Sequence, residues 1–300
     1  MPANLDLAWI HGSRPPGIEP LIQVHRHDDH TYVLRQGKAS SYEAPFLYLL
    51  FGNDRAILLD TGATADPTAF PLRTTVDMLI TGWLAEHPRA NYGLVVAHTH
   101  GHGDHVAGDA QFAARPDTEV VGTDVADVRA YFALAGGDGS NDGGLPASFD
   151  LGGRTLEVLH TPGHQRAAIT IFDPWTGWLL TGDTVYRGRL YVEDMDAFTD
   201  SLDRMASLAG AGKVTAVLGC HIEMTRMPGR DYPLGTSYQP EEPPVQMSVA
   251  QLMAVREAAH AVAGRPGAHV FDDFIIYNGP CRWAFRRQRL RRVANRLLQR

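Results

Sequence analysis

Residues 98–105 read His-Thr-His-Gly-His-Gly-Asp-His, and no other stretch constrains this chain so tightly. They follow Tyr92-Gly93-Leu94-Val95-Val96-Ala97, a short Val-rich apolar run of the kind that forms a buried strand. Side chains alternate along an extended chain, so His100 and His102 fall on one side. Gly103 allows a turn, and Asp104 and His105 then lead into a helix expected over 106–114. Imidazole and carboxylate groups converging at a strand exit suit a borderline divalent ion such as zinc. Four histidines in eight residues, with an aspartate and two spacer glycines, disfavour a chance polar loop.

Three more apolar runs end in the same residue types. Thr155 to Leu159 precedes His160-Thr161-Pro162-Gly163-His164. Trp178 to Leu180 precedes Thr181-Gly182-Asp183-Thr184, and Val214 to Leu218 precedes Gly219-Cys220-His221. A histidine that merely fills a core is expected mid-strand or mid-helix, whereas these stand at run ends beside glycine.

The frame around these exits is ordinary for a globular protein. The 300 residues are 44 % hydrophobic and 20 % charged, enough for a large core and one domain over 1–300 with extensions. A net charge of −7 argues against nucleic acid as a partner. Two cysteines, Cys220 and Cys281, imply no disulfide framework. Met1 to Ile10 has no signal-peptide pattern, and no apolar run approaches the roughly 20 residues that span a bilayer. A cytoplasmic enzyme acting on a small molecule is expected, and a homo-oligomer is compatible with the chain.

Short strands are expected over Leu21–Val24, Thr31–Leu34, Phe46–Phe51 and Ala56–Leu59. The histidine-rich 25–30 stretch reads as a hairpin tip, with a metal decoy or a substrate-side patch as alternatives. Leu72–Glu86 has apolar residues at helical spacing. Helices are also expected over 126–134, 197–208 and 248–262, a flexible connection over 136–148, and a strand over 269–277. The two halves each read as strands, helix, then a strand ending in ligands. Two packed sheets with outer helices would bring all these exits to one edge.

The pattern resembles the metallo-β-lactamase superfamily: His100-Gly-His102-Gly-Asp104-His105, then His164, Asp183 and His221, with Asp60-Thr61-Gly62 as a further match. The resemblance covers about residues 45–225. It implies an α+β fold, an αββα sandwich of two mixed β-sheets with outer helices. It also implies that His100, His102 and His164 hold one metal, that Asp104, His105 and His221 hold the other, and that Asp183 bridges them. Zinc is the first expectation for two divalent ions, with manganese or iron accepted by the same ligands. Two divalent cations, two aspartates and a bridging hydroxide leave a formal surplus of +1, enough to polarise a carbonyl. The commonest zinc β-lactamases carry Cys where Asp183 stands, and the diiron oxygen reductases carry Glu where His102 stands. Both activities are therefore disfavoured.

The leading expectation is a binuclear hydrolase of an ester, thioester or lactone acting through a metal-bridging hydroxide. A phosphodiesterase or nuclease of the same fold, or a metal-loaded module without turnover, is the alternative. Asp104 and Tyr186 are the candidate catalytic residues. Tyr186 stands three residues after Asp183, a spacing similar to that in acyl-homoserine lactone lactonases of the superfamily, and its phenol could donate to the oxyanion or simply pack beneath the site. Asp60 reads either as a turn residue or as the partner of a ligating histidine's second nitrogen, and the resemblance favours the partner. His98 and His160 read as structural, and Cys220 as a buried thiol. The Pro-rich segment 226–247 is expected to border the cleft with Tyr232 or Tyr238, or else to wrap the surface. The Arg-rich amphipathic segment 282–300 reads as a helix that packs on the body or binds an acidic surface.

Overall fold

A computed structural model describes residues 5, 7–14, 18–134, 145–279, 288 and 290–293. The first half runs β1 (Ile22–Asp28), β2 (Thr31–Gln36), β3 (Phe46–Phe51), β4 (Arg55–Leu59), α1 (Leu72–Glu86), β5 (Gly93–Ala97), the single-turn α2 (Gly103–Val106), β6 (Thr118–Val120) and α3 (Val125–Tyr131). The second runs β7 (Ala147–Asp150), β8 (Thr155–His160), β9 (Ile169–Asp173), β10 (Trp178–Gly182), β11 (Arg189–Val192), α4 (Met195–Gly210), β12 (Ala216–Gly219), β13 (Gln246–Met247), α5 (Val249–Val262), β14 (Gly267–Val270) and β15 (Ile275–Asn278).

Strand alternation builds the layers. β1 to β6 form one mixed six-stranded sheet in sequence order, and β13-β12-β10-β9-β8-β7 form the other. Tyr48, Leu50, Ile57, Leu59, Val95 and Ala97 point inward from the first sheet. Leu156, Val158, Ile169, Ile171, Trp178 and Leu180 meet them from the second. The intervening residues face outward. Leu47, Leu49, Leu58 and Val96 pack under α1 through Leu72, Val76, Ile80 and Trp83. Phe172, Leu179 and Val217 pack under α4 and α5 through Phe198, Leu202, Leu252 and Val255. Period-2 strands covered by period-3.6 helices give the αββα sandwich.

Two parallel strand pairs, β4–β5 and β10–β12, set the site edge. Leu59 of β4 lies level with Ala97 of β5, so Asp60 and His98 leave side by side. Gly182 of β10 is level with Gly219 of β12, so Asp183 emerges beside Cys220. β8 and β10 are both antiparallel to β9, so the chain leaving β8 towards His164 reaches the same edge.

Several sequence expectations change. The 106–114 helix is instead α2 ending at Val106 and a 3-10 turn at Asp109–Gln111, because Thr61 and Gly62 take up the backbone there. The 269–277 strand is a hairpin, β14–β15, and with β11 it forms a third, three-stranded sheet. Both β11 and β15 have few residues and owe their pairing to a partner far along the chain. Part of the 136–148 connection is β7, and 135–144 lie outside the described residues. In the 25–30 cluster, His25 and His27 belong to β1, and only Asp29 and His30 make the turn. Cys281 and most of the 282–300 helix lie outside the described residues; Gln288 and residues 290–293 are described, and all are helical. Among the described residues no helix is long and apolar enough to cross a membrane.

Candidate metal centre

Each strand exit delivers its side chain through a turn that only certain residues permit. His102 caps α2 in an extended conformation, which turns Asp104 and His105 back toward His100. Gly163 has a φ of +134°, and a Cβ there would lie 2.4 Å from Phe198 Cα, so the approach of His164 over α4 requires glycine. Gly182, at φ +52°, lies against Thr99 in the same way and releases Asp183 into the site.

The seven side chains fall into two groups, His100/His102/His164 and Asp104/His105/Asp183/His221. In the first, His100 Nε2 is 2.9 Å from His102 Nδ1, and His164 Nε2 is 3.2 and 3.1 Å from those two atoms. Ligands 2.0–2.1 Å from a tetrahedral ion have edges of about 3.3 Å. In the second, His221 Nε2 is 3.3 Å from His105 Nε2 and 3.5 Å from Asp104 Oδ2. Asp183 reaches both groups: Oδ2 is 3.8 Å from His164 Nε2 and 3.6 Å from His105 Nε2, and Oδ1 is 3.4 Å from His221 Nε2. Asp183 Oδ1 is buried without a hydrogen-bond partner. A buried carboxylate oxygen left so among imidazole nitrogens fits a cation. The residues therefore fit divalent ions.

Outer contacts fix the imidazole rings. His105 Nδ1 lies 2.9 Å from Asp60 Oδ2, His164 Nδ1 2.7 Å from the Tyr191 carbonyl, and His221 Nδ1 3.1 Å from the Glu43 carbonyl. With Nδ1 donating, Nε2 is left to ligate. Asp60 is fully buried at a φ of +68°, and also accepts from Thr99 N and, at 3.2 Å, from the Cys220 thiol. Burial and Asp60 hold that thiol well above its usual range, so Cys220 stays protonated beneath the site. His98 is buried behind it, Nε2 3.2 Å from Asp109 Oδ2.

The carboxylates and the imidazoles hold one another in charged forms. Burial opposes ionisation of Asp104, but the His221 hydrogen bond and the His105 charge lower its pKa to about 2. Burial disfavours the His221 cation, yet Asp183 and Asp104 push its pKa up to about 9. Burial, reinforced by the neighbouring His105 charge, keeps His100 well below the histidine range and ready to donate a lone pair.

These groups open into a cleft of about 520 Å³, within the range of small-molecule sites. Its walls include Glu43, Tyr191, Glu193, Glu223, Leu234 and Tyr277. Glu223 was legible as a candidate, two residues after His221 and so on the same side of an extended chain. Tyr191 and Tyr277 carry no local signal, because the sheet that presents them pairs distant segments.

The sequence leaves Tyr186 and either Tyr232 or Tyr238 as substrate-facing residues, with packing or a surface wrap as the alternatives. The 226–247 segment borders the cleft through Leu234, while Tyr232 accepts the Glu241 amide and Tyr238 lies against His11 and Arg14. Glu242 anchors that segment by two bonds to the buried Arg35 guanidinium. Tyr186 lines the cleft with its ring, 5.7 Å from the His221 ring, but its hydroxyl lies 2.7 Å from the Arg189 carbonyl and 3.0 Å from Glu223 Oε2. The proton is thus engaged within the protein, as in the packing alternative.

Comparison with known proteins agrees with this geometry. A family model described as the metallo-beta-lactamase superfamily matches residues 44–212. A hydroxyacylglutathione hydrolase from Synechococcus sp. (strain JA-3-3Ab) is 29 % identical over 217 residues, covering 71 % of this chain and 76 % of the relative. A Homo sapiens protein named acyl-coenzyme A thioesterase MBLAC2 is 27 % identical over 216 residues, covering 58 % and 72 %. Among solved structures, a metallo-beta-lactamase from Pontibacter korlensis superposes with a TM-score of 0.51 at 15 % identity, covering 80 % of this chain and 99 % of its own. The matched residues include four strands of each six-stranded sheet and six of the seven converging side chains, and the chain belongs to the metallo-β-lactamase superfamily.

Proposed function

We propose that this metal-dependent hydrolase cleaves a thioester, with esters and lactones as related substrates, over a pair of divalent ions. The observation that carries the reading is Asp183, whose two oxygens lie within 3.8 Å of imidazole nitrogens from both groups. His100, His102 and His164 would hold one ion, and Asp104, His105 and His221 the other, with Asp183 shared. Ions so bound supply Lewis-acid polarisation of the carbonyl and make water nucleophilic near neutral pH. The protein's own part is to orient and enclose. Asp60, Tyr191 and Glu43 hold the rings of His105, His164 and His221. Tyr186, Val192, Leu234 and Tyr277 offer apolar surface to the acyl or thiol group. The thioester preference is supported by relatives named as hydroxyacylglutathione hydrolase and acyl-coenzyme A thioesterase.

A panel tests it: a hydroxyacylglutathione, an acyl-coenzyme A, an N-acetylcysteamine thioester, an aryl ester, a lactone and bis-p-nitrophenyl phosphate, each with zinc-, manganese- and iron-loaded protein. The thioesters should give the largest kcat/KM. Preference for the phosphodiester, or no turnover at all, rejects the assignment.

Metal affinity should climb with pH. His221 binds a proton until pH passes about 9 in the metal-free protein, and an imidazole must be neutral to ligate. Its raised pKa stabilises the metal-free fold fully below the ordinary histidine range, and that contribution is lost as pH rises through about 9. Zinc titrations at several pH values should show affinity rising about tenfold per unit between pH 7 and 9. A flat profile would place His221 outside the ligand set.

Tyr186→Phe separates donor from packing roles. Loss of an oxyanion donor lowers kcat by about 100- to 1000-fold. The contacts to Arg189 and Glu223 favour packing, so kcat should stay within about 3-fold while stability falls by about 1–3 kcal/mol as Glu223 loses a buried partner. Thermal melts and steady-state kinetics read both.

A further inference from the structure

The structure assigns Gln288, supported by Arg291, as a positioning residue that holds one wall of the cleft. The assignment rests on the hydrolase reading above. Tyr191 and Tyr277 line the cleft, with ring centroids 4.9 Å apart and planes inclined by 33°. Gln288 joins their outer ends: Tyr191 Oη donates to Gln288 Oε1 at 3.2 Å, and Gln288 Nε2 donates to Tyr277 Oη at 2.7 Å. Gln288 is 5 % exposed. A buried amide whose oxygen and nitrogen are both used fixes both phenols at once. The wall in turn reaches the metal ligands, because the Tyr191 carbonyl accepts from His164 Nδ1 at 2.7 Å.

Arg291 grips a second wall from the same helical face, three residues on. Its guanidinium donates to Asp231 Oδ1 at 2.6 Å and to the Asp231 carbonyl at 2.9 Å. Asp231 Oδ2 accepts from Arg189 at 2.9 Å, and Arg189 is paired with Glu223, which lines the cleft and meets Tyr186. Arg292, beside it, lies 5.7 Å over the ring of Tyr42, next to the cleft residue Glu43. Gln288 thus contacts cleft-lining side chains directly, and Arg291 reaches Glu223 through Asp231 and Arg189. At Gln288, Arg291 and Arg292 the basic C-terminal segment is part of the substrate site's framework, and Arg291 spends its charge on Asp231. Substrate binding depends on it, while the ions depend on it little.

The test is a cycle of Gln288→Ala, Tyr191→Phe and the double variant in full-length, metal-loaded protein. On the best thioester of the panel, Gln288→Ala should raise KM about 10-fold, with kcat within about 3-fold and metal content unchanged. Tyr191→Phe should raise KM similarly, and the double variant no further than Gln288→Ala, because Gln288→Ala already removes the bond to Tyr191. Arg291→Ala should have a smaller effect in the same direction, restored in part by Arg291→Lys. A Gln288→Ala KM within about 2-fold of wild type overturns the assignment, as does a KM effect that multiplies with that of Tyr191→Phe. Loss of metal and fold in parallel with activity overturns it too. If wild-type protein hydrolyses no thioester, the proposed function fails, and calorimetry with an S-alkyl thioether of N-acetylcysteamine still decides the wall. Binding weakened about 10-fold in Gln288→Ala supports the assignment; equal binding, or none to wild type, overturns it.

Discussion

Asp183→Ala should lower thioester hydrolysis at least about 1000-fold and reduce bound metal from about two ions per chain to about one. The reason is the position of one carboxylate between two groups of neutral or cationic rings. Its oxygens are 3.4 to 3.8 Å from His221, His105 and His164. Without it, the first group has three imidazoles and no anion. The second keeps Asp104 as its only carboxylate. Two divalent cations a few ångströms apart would then face one negative ligand, and their repulsion would fall on the second ion. Asp183→Asn keeps the shape and removes the charge, so it isolates the electrostatic part. Elemental analysis with the thioester assay reads both quantities. Two retained ions with a near-wild-type rate would show that Asp183 is not shared.

Arg154→Met should destabilise the fold by about 3–5 kcal/mol without entering the site. Arg154 lies just before β8, whose far end leads to the metal edge, so it closes the opposite end of the sandwich. Its guanidinium meets Asp173 at 2.6 and 3.1 Å, Thr31 Oγ1 at 3.0 Å and the His30 carbonyl at 2.7 Å. Asp173 ends β9 in the second sheet, whereas Thr31 begins β2 of the first and His30 lies in the turn before it, so one side chain fastens the two sheets together. Both charges are almost fully buried, at 2 % and 1 % side-chain exposure. Removing the cation leaves Asp173 with only Thr176 and two backbone amides at that turn. The melting temperature should fall by roughly 10 °C. Arg154→Met with Asp173→Leu removes both charges and should recover part of the loss, since it is the unpaired charge that costs most. A melting temperature unchanged by the single variant would show that the pair adds nothing beyond its packing.

The sandwich was legible because both of its signals are local. The continuous apolar runs of Phe46–Phe51 and Ala56–Leu59, buried on both faces, and the helical spacing in Leu72–Glu86 are carried by neighbouring residues. Where a segment is short and its partner remote, the local signal fails. β11 was invisible because Arg189–Val192 becomes a strand only by pairing with Ile275–Asn278. The helix expected after His105 stops at Val106 because the 61–62 backbone claims its groups.

The sequence alone determined the chemistry of the strand exits: imidazoles and carboxylates beside glycines at His100–His105, His164, Asp183 and His221. Ligand type and backbone freedom belong to individual residues, so reading them needs no partner. The resemblance already favoured Asp60 as the partner of a ligating histidine, but only the tertiary structure decided which histidine it meets and which other groups stand around the site. Asp60 beneath His105, Gln288 across Tyr191 and Tyr277, and Arg154 between the sheets are contacts between residues 11 to 124 positions apart. Such contacts are chosen by how buried surfaces and buried charges pair in three dimensions, and the local pattern of a chain holds no record of that choice.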